Sequence, residues 1–265
     1  LDYNEDLNYD LKEENNEQIE DKIQDLGDFK VIYTPMANSE YVELEEIFKE
    51  GEFFEMISDA LNEEYLLPHD VYIVLEECGE ANAYYDPSTY EIIMCYELLE
   101  NIAETFADSY SDETDENLAL WTTFTYFFVF YHELGHALIN VYNVPITGGE
   151  EDAVDQLATL IFLEMEDEII DSTIIRGKDI TITAAIWFKL IGENVVIDDS
   201  VFADEHSLGQ QRFYNIVCYT YGEDPESNSY LVEGGHLPEA RAERCPYEYN
   251  KLLDSWSNLL EKYLK

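Results

Sequence analysis

The chain has 265 residues, enough to bury a substantial core in one large domain or two small ones, and sets 13 Lys+Arg against 60 Asp+Glu for a formal net charge of -47. Phosphate contacts need cations, so this balance excludes nonspecific nucleic-acid binding and disfavours anionic membrane surfaces. A field of that sign concentrates cations and favours neutral or basic ligands over acidic ones.

The sequence opens on Leu1 without a basic or apolar targeting region, which reads as a processed or truncated form. Residues 1–27 are rich in Asp, Glu and Asn with few large apolar side chains, so an acidic flexible leader is expected there, with a weak amphipathic helix as the alternative. Residues 28–265 are expected to form a single domain. Phe29 to Pro35 (FKVIYTP) has the β-branched and aromatic content of a strand ended by Pro. Val42, Leu44, Ile47, Phe48, Phe54, Ile57 and Leu61 recur at three- and four-residue intervals, predicting helix over 40–66 with a break at Gly51. Val71 to Gly79 and Ala81 to Leu99 follow, with a Pro87-Ser88 turn inside the second stretch, and two or three antiparallel strands are expected there. An edge strand in such a sheet can hold an extended peptide by strand addition.

Leu118 to Phe130 (LALWTTFTYFFVF) is almost wholly apolar or aromatic, the pattern of a helix buried in a core. The run to Tyr131 is 14 residues with three Thr, short of the roughly 20 a membrane-spanning helix needs. The helix continues into His132-Glu133-Leu134-Gly135-His136, a His-Glu-x-x-His pattern. Residues four apart share a helix face, so His132 and His136 can offer two imidazoles to one Zn2+ ion, and Glu133 stands one residue round the helix where it can act as general base. Two helix histidines bonded into a core would give the same bare pattern. Gly135 costs about 1 kcal/mol against Ala inside a helix, so its place here signals a close approach to the backbone.

After Pro145 and Gly148-Gly149, Glu150 to Ile161 reads as a second helix with an acidic start. Glu151 and Asp155 share a face, so Glu151 is expected as the third metal ligand and Asp155 as the acceptor that orients a histidine. Glu150 has Val154 four residues on and lacks that partnership. The longer H-E-x-x-H-x-x-G-x-x-H pattern is not met, because Ile139 and Tyr142 stand at the Gly and third His positions. His206, at the start of another helix, is a candidate for polarising a scissile carbonyl or stabilising an oxyanion, with Arg212 and Tyr214 as weaker candidates and His69 and His236 weaker still. Ile182 to Ile191, Gln210 to Tyr221 and Tyr247 to Leu264 read as further helices, and the Gly- and Pro-containing stretch 221–239 as a loop at a cleft rim. Cys78 and Cys95 end neighbouring predicted strands and are candidates for one bridge, leaving Cys218 and Cys245 for a second. Four reduced thiols in a cytosolic enzyme remain the alternative to a secreted, periplasmic or cell-surface protein.

HELGH, GGEEDAVDQLATL, DEHSLGQQRFYNIVC and RAERCPYEY, with CGEANAYYDPSTYEIIMCYEL upstream, together resemble a family of bacterial metallopeptidases known chiefly as a domain of unknown function. The resemblance covers most of residues 70–250. It implies a zincin-type domain of the gluzincin kind, with ligands on His132, His136 and Glu151, the general base on Glu133 and two disulfides among the four cysteines. The fold expected is α+β, mostly helical, with a small antiparallel or mixed sheet ahead of the metal helix. The function expected is zinc-dependent hydrolysis of peptide bonds. The alternative is a zinc-binding or interaction domain without turnover.

Overall fold

The computed structural model describes residues 23–37, 39–170, 173–193 and 195–265. Residues 1–22, most of the acidic leader, lie outside them. From Asp25 onward the chain runs along the domain, with Leu26 N and Gly27 N both donating to Leu67 O at 2.7 and 3.0 Å.

Strand β1 (Phe29–Tyr33) leads to helices α1 (Ser39–Glu50) and α2 (Phe53–Glu64), which divide at Gly51 and Glu52, the latter in left-handed backbone. Strands β2 (Val71–Glu76), β3 (Ala83–Asp86) and β4 (Glu91–Cys95) complete a four-stranded sheet in the order β1-β2-β4-β3. The sheet is mixed. β2 pairs in parallel with β1 (Phe29 opposite Val71) and with β4 (Tyr72 opposite Glu91), and β4 pairs antiparallel with β3 (Ala83 opposite Met94). The expected antiparallel hairpin around Pro87 is therefore present, and the remaining pairings are parallel crossovers. The strand ends at Cys95 as expected, and helix α3 (Tyr96–Ser109), which the sequence reading did not include, starts directly after it.

Helix α4 (Asp115–Tyr142) is the longest element, 28 residues, about 42 Å at 1.5 Å per residue. The Thr114 side chain caps its start by accepting from Asn117 N, and Asn143 in left-handed backbone ends it. An apolar helix of this kind is stable only when other elements cover it. On one side Phe54 meets Tyr126 and Phe130 edge-on, and Phe48 stacks on Tyr96 and Tyr126. On another, Phe128 faces Phe162 of helix α5 (Glu150–Glu164) and Phe188 of helix α6 (Gly177–Glu193). A short hairpin, β5 (Glu168–Ile170) with β6 (Thr173–Ile175), joins α5 to α6.

The short helix α7 (Asp199–Phe202) precedes α8 (Gly209–Glu223), and the short α9 (Tyr230–Glu233) and α10 (Glu239–Ala242) lead to α11 (Cys245–Leu260). Tyr263 then stacks on Tyr142 at 3.9 Å and donates to Tyr142 O at 3.0 Å, tying the end of the chain to the end of α4. Disulfides join Cys78 to Cys95, between the ends of β2 and β4, and Cys218 to Cys245, between α8 and α11. No helix among the described residues is long and apolar enough to cross a membrane.

Candidate metal centre

Helices α4 and α5 pack closely enough that a Cβ added at Gly135 would stand 2.8 Å from Val154 Cβ. Gly135 is thus where the two backbones meet, which explains a residue of low helix propensity beside His136. The contact brings the carboxylates at the start of α5 over the histidines of α4.

Each histidine is held at one ring nitrogen and free to ligate at the other. His132 Nδ1 donates to Asp155 Oδ1 at 2.8 Å, and His136 Nδ1 donates to Glu150 Oε1 at 2.8 Å. Both Nε2 atoms turn to Glu151, at 3.2 Å from Oε2 for His132 and 3.4 Å from Oε1 for His136. One ligand atom from each of His132, His136 and Glu151 lies within 4.8 Å of the other two. Two imidazoles, which ligate a metal in their neutral form, and one carboxylate, with each Nδ1 held by a partner behind it, form a donor set suited to a divalent metal with an open position. The structure thus fits the ion that the sequence motif implies.

The Asp155 support extends one residue further. Arg212 of α8 places Nε on Asp155 Oδ2 and Nη2 on Asp155 Oδ1, both at 2.6 Å, and its guanidinium lies 3.5 Å from the Phe188 ring centroid. Arg212, weighed above for an oxyanion role, is committed to this carboxylate. Tyr214 is exposed and does not line the cleft. His206 does: its Nε2 lies 3.1 Å from Glu151 Oε2, its Nδ1 3.1 Å from Asp204 Oδ1, and its ring stands parallel to His132 with centroids 6.4 Å apart. His69 stacks on Tyr90, and neither it nor His236 lines the cleft. Glu150 is the site residue missed by the helical-face argument, which looked for a partner along α5 and not across to α4.

The electrostatics follow from burial and pairing. Burial works against charge on His132, and the carboxylates of Asp155 and Glu151 outweigh it, raising its pKa. His136 balances burial against Glu151 and Glu150 and rises to about 9. Burial pushes Glu151 up, yet the three imidazoles around it hold it far below the usual carboxylate range. Asp155 is likewise held low, Arg212 and His132 overcoming its burial. Glu133, 7 % exposed and 4.0 Å from His132 Nε2, is raised by burial, which outweighs the neighbouring histidines.

The cleft over these residues has a volume of about 800 Å³. Its far wall is β3, the edge strand of the sheet, where Tyr85 donates to Asn140 Oδ1 of α4 at 2.9 Å. Glu133, Glu150, Glu151 and Glu205 line it, with no Lys or Arg among the described residues.

The domain is thus α+β, its central helix carries His-Glu-x-x-His, and its next helix completes a His/His/Glu group that could hold a metal ion. Residues 33–260 match the model of a family described as "putative metallopeptidase", and the chain belongs to that family. No curated protein and no solved structure matches the chain.

Proposed function

We propose that the protein is a zinc-dependent peptidase, with the ion held by His132, His136 and Glu151 and Glu133 as general base. The observation that carries this reading is Glu133 itself, buried and within 4.0 Å of His132 Nε2 without belonging to the donor set, a placement a purely structural metal site has no use for. Zinc bound there supplies Lewis acidity, making water a stronger nucleophile near neutral pH and a carbonyl a better electrophile.

The chain's own residues do the rest. The Glu133 carboxylate, raised towards the pH of use by burial, takes the proton of the attacking water and delivers it to the leaving amine. His206, steadied at Nδ1 by Asp204, has Nε2 on Glu151 Oε2, and once Glu151 turns to the ion that Nε2 is the hydrogen-bond donor to the developing oxyanion. The free edge of β3 pairs with the extended peptide backbone. Because Glu133, Glu150, Glu151 and Glu205 line the cleft and no Lys or Arg among the described residues does, neutral or basic peptides are favoured over acidic ones. Two disulfides support an exported chain acting outside the reducing cytosol.

The test is elemental analysis of the purified chain beside a His136→Ala variant, then incubation of the zinc-loaded chain with a mixed peptide library. One zinc per chain in the parent, almost none in the variant, and new peptide termini in the digest are expected. No zinc in either chain after equilibration with added metal defeats the reading. Zinc without any cleavage leaves a metal-binding domain that turns nothing over.

A further inference from the structure

Asn140 stands on α4 one turn beyond His136. His132, His136 and Asn140, each four residues from the next, therefore share one face of the helix, and all three line the metal cleft. From the far wall, the Tyr85 hydroxyl of β3 donates to Asn140 Oδ1 at 2.9 Å. Burial raises the Tyr85 pKa well above the usual phenol value, so the hydroxyl keeps its proton for this bond. A side-chain amide carries one acceptor oxygen and a nitrogen with two donor hydrogens. With the oxygen of Asn140 fixed on Tyr85, its nitrogen is turned the other way, and Nδ2 has no protein partner among the described residues. Asn140 is exposed, so these donors are open to whatever enters the cleft.

The spacing suits an extended chain. A peptide paired with the edge of β3 turns the backbone groups of successive residues alternately towards β3 and away from it, towards α4. The carbonyl to be attacked must face the metal side. The next carbonyls facing that way belong to the residues two before and two after it, displaced by about 6.6 Å along the strand. Four residues of α-helix, His136 to Asn140, advance about 6 Å. The two repeats agree closely, so a peptide lying along α4 with its scissile carbonyl at the metal sets a second carbonyl beside Asn140. A carbonyl withdrawn from water there is costly unless a donor meets it.

We propose that Asn140 is a substrate-binding residue whose Nδ2 donates to the backbone carbonyl two residues from the scissile one, and that Tyr85 is the positioning residue that holds its amide in that orientation. The assignment rests on the peptidase reading. Contact with the backbone makes this interaction indifferent to the side chains of the substrate. It also demands length, because a dipeptide has no residue two places from its scissile carbonyl. The substrate class it favours is an extended oligopeptide.

The test takes the peptide that the zinc-loaded parent cuts fastest in a library, with its cleavage point mapped, and two analogues in which the amide two places before or two places after the scissile one is replaced by a trans-alkene. Asn140→Leu should raise KM about tenfold while kcat moves by less than about threefold and zinc content stays at that of the parent. Asn140→Asp leaves an oxygen for Tyr85 and lacks only the donor, so it should raise KM as much, which a mere tie between β3 and α4 would not. Tyr85→Phe, which frees the amide to turn, should raise KM about threefold in the parent and not at all in Asn140→Leu. One of the two analogues should lose about tenfold in KM with the parent and less than about threefold with Asn140→Leu, the signature of a bond between that carbonyl and Asn140. Unchanged KM in Asn140→Asp, or analogue penalties equal in parent and Asn140→Leu, would overturn the assignment and leave the peptidase reading standing on the parent's cleavage. A zinc-loaded parent that cuts no peptide would overturn the peptidase reading itself, and the role of Asn140 with it.

Discussion

The two sides of the cleft are built differently. The metal side rests on α4 and α5, two long helices locked at Gly135 and Val154, with His132, Glu133 and Asp155 all under a tenth exposed. The segment 195–208, which brings Glu205 and His206 to the cleft, contains one helix of four residues, exposed aliphatic side chains, and a His206 whose side chain is 47 % exposed. Groups that must not move sit on rigid helices with a second layer of partners. The groups of 195–208 sit on a short, open segment without that second layer. The comparison predicts that substitutions around the metal on the helical side act on metal or on the proton, and those on the other side act on turnover alone.

The largest effect is expected at the base. Glu133→Gln keeps the shape of the side chain and removes its basicity, so kcat should fall on the order of 10³-fold or more with zinc content unchanged. Retained turnover, measured on the peptide cut fastest by the parent, would remove Glu133 from the mechanism. Next come the two neighbouring glutamates. Glu151→Ala deletes a donor and should weaken zinc binding by more than about 100-fold, whereas Glu150→Ala only frees the back of His136 and should cost roughly tenfold. Competition with a chelator of known affinity measures both, and equal losses would reject the assignment of Glu151 as the ligand.

His206→Ala tests the boundary between the two sides. Loss of one oxyanion donor should lower kcat about 100-fold while the zinc content stays at that of the parent. Were the zinc to leave with the imidazole, His206 would belong to the donor set, and the division of the cleft would fail.

How much of this was legible follows the same division. The helical side repeats every three to four residues, so α4, its two histidines, Glu133, and the Glu151 and Asp155 pair could be placed by counting. Counting failed for Glu150 because the first residue of α5 reaches across to a different helix, a contact set by packing and not by periodicity. It failed for α3 because no Gly, Pro, Asn, Asp or Ser separates β4 from Tyr96 to mark where strand gives way to helix. The parallel pairings of β1, β2 and β4 join stretches far apart in sequence, whereas the β3 and β4 hairpin carries its own turn signal in Pro87 and Ser88.

Gly135 offers the finest probe, because it touches no donor atom and yet sets the distance between the helices that carry them. An Ala there gains roughly 1 kcal/mol of helix propensity. Its methyl carbon, however, would stand 2.8 Å from both Cβ and Cγ1 of Val154 and 3.3 Å from the Val154 backbone, a clash that only a shift of α5 relieves. Overpacking of this kind costs about 1–3 kcal/mol, so the net change in stability should be small, a few degrees or less in Tm. The larger consequence is geometric. Glu151 and Asp155 ride on α5, and moving them relative to His132 and His136 should weaken zinc binding several-fold in a chain that remains folded. A paired Gly135→Ala, Val154→Ala variant relieves the contact and should recover most of the affinity at some cost in core packing. Unchanged zinc affinity in the single variant would show that the α4 and α5 contact does not set the site, and the rigid side of the comparison would lose its structural basis.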